Sequence, residues 1–129
     1  MDPRPGHFYW NELMTHDLAA AKAFYAATCG WTYEEMTVDG MVYTVIKVGD
    51  MPAGGMFAMS GEEFAEAPDH WTGYVEVPDC DAAAAAAAKA GGTVIQGPFD
   101  ITGVGRIALV RDIAGAQIGV IKPAPNPPA

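Results

Sequence analysis

The alternation of apolar and polar positions divides the chain into short strands and two helices. Runs rich in Val, Ile, Tyr, Phe and Thr, bounded by Gly, Pro and Asp, recur at residues 8–15, 31–38, 41–49, 53–60, 71–78, 93–99, 106–112 and 116–122. Runs of this length and composition predict β-strands. Two alanine-rich stretches with helical character follow the first and the fifth of these runs. The pattern therefore predicts an α+β fold.

Both predicted helices have a start signal and a stop signal. Asp17 precedes the stretch "LAAAKAFYAATC" and Gly30 follows it, while Asp79 precedes "CDAAAAAAAKA" and Gly91 and Gly92 follow it. An Asp at the N-cap accepts a hydrogen bond from an amide of the first turn, and a Gly at the end adopts the left-handed conformation that stops a helix. We expect one helix between each Asp and the Gly that follows it.

The two helices belong to a longer internal repeat. Asp17 and Asp79 are 62 positions apart, as are Gly30 and Gly92, and each helix stands between one predicted strand and three more. The alternative reading is that two alanine-rich capped helices are alike by chance. We interpret the pattern as two pseudo-symmetric strand–helix–strand–strand–strand modules, because neither half could bury a sheet face alone.

The repeat sets the predicted organisation of residues 1–129 as one domain. The first module spans about residues 7–59 and the second about residues 70–122, with the polar joint "SGEEFAEAPD" at residues 60–69 between them. The proline-rich tail, residues 123–129, is predicted to be disordered.

Charge and cysteine content restrict the partners and the compartment. The net charge of −9 disfavours nucleic acid and anionic membranes, because such a surface repels phosphate groups. No run approaches the length of a membrane span, and the first residues lack the basic and apolar regions of a signal peptide, so the expected location is the cytoplasm. In that compartment Cys29 and Cys80 are expected to be free thiols.

The order of several local motifs resembles that of a known superfamily. The motifs are "WNELMTHDLAAAKAFYAATCGW", "AGGMF", "HWTGYVEVPDCDAA", "AGGTV" and "GRIALVRDIAGAQIGVI". Together they resemble the vicinal oxygen chelate superfamily, which includes glyoxalase I, bleomycin-resistance proteins, fosfomycin-resistance enzymes and extradiol dioxygenases, and most of all its glyoxalase-like branch. The resemblance implies two βαβββ modules that form a curved mixed sheet around a cleft. It also implies a homodimer.

The resemblance further implies where a metal would be bound. Metal-dependent members place their ligands at four positions, which correspond here to Trp10, Phe57, Thr72 and Gly119. None of the four residues offers an imidazole, a carboxylate or a thiolate, the donors that divalent metals require from proteins. We therefore expect neither a metal ion nor another cofactor.

Strand parity extends the predicted site from these four positions. Side chains two residues apart on a strand share a face, so the cleft face is expected to include neighbours of Trp10, Thr72 and Gly119. Tyr9, Leu13, Trp71, Val75 and Val77 are expected to face the helices instead. The predicted ligand-binding residues are Phe8, Trp10, Met14, Phe57, His70, Thr72, Glu76 and Gln117. Such a lining suits a small, partly aromatic or apolar molecule, although the same aromatic residues could instead fill a closed core.

Two residues of this face are candidates for catalysis. Glu12 is the candidate general base, since a carboxylate beside aromatic rings can have its pKa raised toward neutrality. Tyr74 is its pseudo-equivalent in the second module and is the candidate hydrogen-bond donor, facing Glu12 across the cleft. Glu76 lies near a strand end, where we expect it to be solvated, and Arg106 is expected to pair with surface carboxylates.

Three functions are compatible with this reading. The favoured one is a metal-independent protein that binds a small molecule in the cleft. The alternative is a metal-free isomerase or lyase of the same superfamily, with Glu12 as the base. A metal-dependent lyase or dioxygenase is the third, and the four substituted ligand positions disfavour it.

Overall fold

A computed structural model describes residues 3–125. The elements in chain order are β1 (Phe8–Thr15), α1 (Leu18–Cys29), β2 (Thr32–Val38), β3 (Met41–Val48), β4 (Met51–Ala58), a short 3₁₀ turn (Glu62–Phe64), β5 (His70–Glu76), α2 (Cys80–Lys89), β6 (Thr93–Ile101), β7 (Gly105–Arg111) and β8 (Gln117–Pro123). The predicted α+β class and the repeated βαβββ order are confirmed. Strand β8 includes Pro123, the first residue of the predicted tail, and residues 126–129 of that tail lie outside the described residues.

The helix boundaries follow the predicted caps. The Asp17 carboxylate accepts a hydrogen bond from the Ala20 amide at 3.0 Å, and α1 ends at Cys29, followed by Gly30, whose φ of 71° is left-handed. The Asp79 carboxylate accepts the equivalent bond from the Ala82 amide at 3.0 Å. These bonds satisfy amides that have no partner inside the helix, so both predicted helix starts are confirmed.

The chain divides into two compact bodies. Residues 10–72 form the first, which we call the N-terminal body, while residues 3–9 and 73–125 form the second, the C-terminal body. The first few residues belong to the C-terminal body because the Gly6 amide donates to the Glu76 carbonyl at 2.7 Å and the Glu76 amide donates to the His7 carbonyl at 2.9 Å. These bonds pair the start of the chain with the end of β5.

The N-terminal body is a mixed sheet with the strand order β2-β3-β4-β1. β1 and β4 are parallel, whereas β4 and β3, and β3 and β2, are antiparallel. Asp39 and Gly40 make the β2–β3 turn with φ values of 50° and 80°, as two-residue hairpins with an Asp-Gly sequence do. Leu13, Ile46 and Met56 form the buried core beneath α1.

The C-terminal body has the same topology. Its strand order is β5-β8-β7-β6, with β5 and β8 parallel and the other two pairs antiparallel. Cys80 and Ala84 of α2 pack on Ala108 of β7 to form its buried core. Both thiols are free, Cys29 being exposed and Cys80 buried. Within residues 3–125, neither helix has the length and apolar character needed to cross a bilayer.

Candidate functional site

Three side chains of the N-terminal body form a hydrogen-bonded chain. The indole Nε1 of Trp10 donates to Tyr43 Oη at 3.0 Å, and Tyr43 Oη donates to Glu12 Oε2 at 2.7 Å. The chain links β1 to β3 across the intervening strand β4. We call it the Trp10–Tyr43–Glu12 chain. It holds a carboxylate, a phenol and an indole in one defined arrangement.

A glycine in β4 makes this arrangement possible. Glu12 of β1 and Val45 of β3 both pair with Gly55 in the sheet register. A Cβ atom at Gly55 would overlap the phenol of Tyr43. Because Gly55 has no side chain, the Tyr43 ring can lie across the middle strand and reach the carboxylate of Glu12.

Leu13 and Glu12 lie on opposite faces of β1. Leu13 packs into the core beneath α1, so its sequence neighbour Glu12 points to the other face of the sheet. Trp71 of β5 also faces α1, where its indole Nε1 donates to Tyr25 Oη at 3.2 Å. The predicted orientations of Leu13 and Trp71 toward the helix are therefore confirmed.

Apolar side chains continue the face of Trp10 and Glu12. Met14 pairs with Phe57 in the register of β1 and β4, and Met14 is buried. The Phe57 ring packs against the Phe64 ring at a centroid distance of 5.7 Å and an interplanar angle of 67°. The polar chain thus lies beside an apolar strip formed by Met14 and Phe57.

The side chains at Trp10, Phe57, Thr72 and Gly119, the positions that the resemblance matches to metal ligands, do not fit a cation. Trp10 uses its only polar atom as a donor to Tyr43, Phe57 has no polar side-chain atom, and Thr72 is buried. Gly119 is covered by the ring of Tyr74, which occupies the place where a side chain at position 119 would start. Across residues 3–125, His, Cys, Asp and Glu side chains nowhere form a group of three that could hold a metal ion.

The burial of Glu76 differs from what the sequence predicted. We expected its carboxylate to be solvated at the strand end, but the residue is only 9% exposed, and Oε2 accepts a hydrogen bond from the Arg4 amide at 3.0 Å. Residues 4–7 cover this end of β5, a contact between positions 72 apart in the sequence. Burial, and then the charge of Glu76, raise the pKa of Tyr9. Glu76 is therefore part of the packing of the C-terminal body.

The predicted site residues are divided between the two bodies. Trp10, Glu12, Met14, Phe57, His70 and Thr72 belong to the N-terminal body, while Phe8, Tyr74, Glu76 and Gln117 belong to the C-terminal body. The structure brings Trp10 together with Glu12, and Met14 together with Phe57. The ring nitrogen Nδ1 of His70 lies 2.7 Å from the Pro68 carbonyl oxygen. The pairing of Glu12 with Tyr74 stays a prediction.

Tyr43 is not among the site residues predicted from the sequence. The available signal was Gly55, because a glycine inside a strand often marks the close approach of another group. The group that approaches Gly55 is the phenol of Tyr43. The expectation for Arg106 is confirmed, since its guanidinium binds the Asp81 carboxylate at 3.0 and 3.1 Å and Asp100 at 3.2 Å on the surface.

Comparison with known sequences identifies related proteins. The family model described as "Bleomycin resistance protein-like N-terminal" matches residues 7–49. The chain is 46% identical over 124 residues to "Putative glyoxylase CFP32" of Mycobacterium tuberculosis, covering 94% of this chain and 46% of that protein. It is 36% identical over 118 residues to "Anthracycline biosynthesis protein DnrV" of Streptomyces peucetius, covering 92% of this chain and 42% of that protein. The chain thus spans about half the length of the curated relatives it matches.

Solved structures share the fold at low sequence identity. A methylmalonyl-CoA epimerase in complex with methylmalonyl-CoA and NH4+ superposes with a TM-score of 0.63 at 20% identity, over 97% of this chain and all of that one. The methylmalonyl-CoA epimerase of Mycobacterium tuberculosis superposes with a TM-score of 0.60 at 19% identity, over 93% of this chain and 89% of that chain. At such identity the likeness concerns the fold alone.

Proposed function

Since the chain belongs to the vicinal oxygen chelate superfamily, we propose that it is a metal-independent protein that binds a small, partly aromatic or apolar molecule. The observation that carries the proposal is the Trp10–Tyr43–Glu12 chain. This arrangement places a preorganised polar group beside the apolar strip of Met14 and Phe57. Binding sites for small molecules commonly combine apolar walls with a few fixed polar groups of this kind.

The chemistry of this face defines the expected ligand. The carboxylate of Glu12 accepts hydrogen bonds, so it suits a ligand that presents a hydroxyl or an amine. Aromatic and methionine side chains beside it suit a flat, apolar ring system. The relative named for anthracycline biosynthesis supports the same ligand class, since anthracyclines carry a flat system of fused rings.

Metal independence rests on the donors that are present. At the four positions that correspond to metal ligands, the chain offers an indole, a phenyl ring, a buried threonine and a glycine. Divalent cations are bound in proteins by nitrogen, oxygen and thiolate ligands, commonly three or more from the protein. Tyr74 further supports the proposal, because its ring fills the space that a ligating side chain at position 119 would need.

A binding titration tests the proposal directly. Quinizarin, a flat dihydroxylated anthraquinone, should quench tryptophan fluorescence of the metal-free protein, and chelator treatment should leave its affinity unchanged. Tyr43→Phe should weaken binding by about fivefold to tenfold, since it removes the donor that positions Glu12. Tyr33→Phe is the matched control, because the Tyr33 hydroxyl donates to the Lys22 carbonyl at 2.9 Å, away from the proposed site.

Three outcomes would contradict it. In the first, quinizarin binds neither the wild type nor the variants. In the second, Tyr43→Phe binds quinizarin as tightly as the wild type and the Tyr33→Phe control do. In the third case, elemental analysis finds one equivalent of zinc, iron, nickel or manganese in the purified protein, and metal removal abolishes binding. The third result would restore the metal-dependent lyase or dioxygenase hypothesis.

A metal-free isomerase or lyase is the second candidate, and one contact favours it. Tyr43 Oη donates to Glu12 Oε2 at 2.7 Å, which fixes the orientation of the candidate base. The test is incorporation of deuterium from heavy water into methylmalonyl-CoA, the ligand of a structural neighbour. Glu12→Gln should abolish exchange and leave binding nearly intact. Equal exchange in the wild type and the variant would eliminate Glu12 as the base.

We also propose that the protein is a homodimer, as the resemblance implies. Light scattering after size-exclusion chromatography should give twice the 13.6 kDa mass of one chain. A single-chain mass at micromolar concentration would refute this part of the proposal without affecting the binding site.

A further inference from the structure

A second candidate site lies on the helix-facing side of the N-terminal body. A groove of about 340 Å³ runs between the first half of α1 and the ends of β1 and β5. We call it the α1 groove and define it by Asp17, Phe24, Tyr25, Asp69 and Trp71, which are among its lining residues. It also reaches Leu13, which points to the opposite face from Glu12. The α1 groove is therefore separate from the Trp10–Tyr43–Glu12 chain.

Aromatic rings form one wall of the α1 groove. The ring of Tyr25 meets that of Trp71 edge to face at 5.6 Å and 79°, and it meets that of Phe24 at 5.0 Å and 90°. On another side, Trp31 stacks on Tyr25 at 5.2 Å. These contacts, with the Trp71–Tyr25 hydrogen bond, hold the rings in place. Phe24 nevertheless remains 59% exposed and Trp71 41% exposed.

Carboxylates stand at the same groove. Asp69 and Asp17 line it together with His70, and none of its lining residues is a lysine or an arginine. Hydrogen bonds from the Thr15 hydroxyl and the His16 amide hold the pKa of Asp69 below its ordinary value, so this carboxylate is ionised at neutral pH. The α1 groove therefore combines exposed aromatic rings with negative charge, which is the combination that attracts organic cations.

The exposed aromatic rings of the groove favour one class of cation. The Asp69 oxygens accept bonds from Thr15 Oγ1 at 2.5 Å and from the His16 amide at 3.1 Å, and Asp17 Oδ1 accepts the capping bond from the Ala20 amide, so both carboxylates are held in place as fixed charges. A primary ammonium ion is strongly hydrated and needs new hydrogen bonds when it leaves water. A quaternary ammonium ion has no N–H group and is stabilised by charge and by ring faces alone.

We infer that the α1 groove binds a small quaternary ammonium cation, with the rings of Phe24 and Trp71 against its methyl groups and Asp17 and Asp69 supplying the opposite charge. This binding does not depend on the function proposed above, since it uses the other face of the sheet. The volume of the α1 groove falls in the range of small-molecule sites.

The test compares two probes of equal shape. Choline chloride and neohexyl alcohol, its uncharged carbon isostere, are titrated into the full chain at constant ionic strength, and amide chemical shifts are recorded. Choline should shift the amides of residues around Asp17 and Trp71 with a millimolar affinity, at least about tenfold tighter than the alcohol. Equal affinity for the two probes, or no shifts with choline at about 50 mM, would overturn the inference.

Single variants test the contributions of charge and of ring contact to choline binding separately. Asp17→Ser keeps a helix-capping side chain but removes one charge, and Trp71→Leu removes one ring; each should weaken choline binding about threefold to tenfold. Asp50→Asn in the β3–β4 turn is the matched control for charge, and the exposed Met51→Ala is the control for apolar surface. If a control lowers the affinity as much as its partner variant does, the cation is held by the general surface and the inference is wrong. A melting temperature for each variant shows that the fold is intact.

Discussion

Tyr43 lies across the backbone of Gly55, in the space where a side chain at position 55 would begin. The phenol reaches Glu12 only because this position of β4 is a glycine. The two residues belong to neighbouring strands and act as one structural unit.

Gly55→Ala should therefore be destabilising, by about 1–3 kcal/mol in the free energy of unfolding, because the added methyl group collides with the phenol. Chemical denaturation of Gly55→Ala, Tyr43→Ala and the double variant measures this coupling. In the Tyr43→Ala background, the Gly55→Ala change should cost much less, since the colliding ring is gone. Additive effects of the two substitutions would show that the two residues do not interact.

Thr44→Val should stabilise the protein. Thr44 is 1% exposed, and its Oγ1 is buried with no hydrogen-bond partner among the described residues. Valine has nearly the same shape and lacks the hydroxyl, so the free energy of unfolding should rise by about 1 kcal/mol. Thr37→Val on an exposed position of β2 is the control and should change it by less than about 0.5 kcal/mol. A loss of stability in Thr44→Val would mean that the hydroxyl has a partner in solution.

Asp69 should contribute to the acid sensitivity of the fold. The Thr15 hydroxyl bond, and next the His16 amide bond, lower its pKa in the folded state from the ordinary 3.8. The ionised group therefore favours folding at pH values above 3.8, and this contribution is lost as the pH falls through the lower folded-state pKa. In thermal melts from about pH 6 to about pH 2, the melting temperature of the wild type should fall more steeply than that of Asp69→Asn. If the melting temperatures of the two proteins fall in parallel with pH, Asp69 does not contribute to the acid sensitivity. Asp50→Asn is the control variant.

The two thiols should differ in reactivity. Cys29 is exposed, whereas Cys80 is 2% exposed, and burial raises the pKa of the Cys80 thiol. The thiolate is the reactive form, so both access and ionisation disfavour Cys80. Dithiobis(nitrobenzoate) should titrate one thiol per folded chain rapidly, and two in guanidinium chloride. Cys29→Ser should remove the rapid phase, and a rapid phase that persists in this variant would show that Cys80 is accessible.

The features of the fold that were predicted correctly depend on interactions between residues close together in the sequence. Asp17 caps α1 through an amide three residues away, and Asp39 and Gly40 turn the chain between two adjacent strands. Alternation along β1 correctly placed Leu13 toward the helix, since side chains of a strand must alternate between its faces. None of these features depends on distant residues.

The candidate site was predicted only in part, because its contacts join distant strands. Glu12 and Trp10 could be named from one strand, but Tyr43 is 31 positions from Glu12 and enters through the register of β1, β4 and β3. The burial of Glu76 similarly depends on residues near the start of the chain. Strand parity says which face a residue occupies, but it cannot say which side chain from another strand will cover it.

The sequence by itself determined the repeated βαβββ order and the Asp side chains that cap the starts of both helices. Each of these follows from a residue's own chemistry or from neighbours a few positions away. Only the tertiary structure decided that Tyr43 fills the space above Gly55, that Glu76 is buried and that exposed aromatic rings gather beside Asp69. These contacts depend on strand register and helix docking, which bring together groups separated by many residues along the chain.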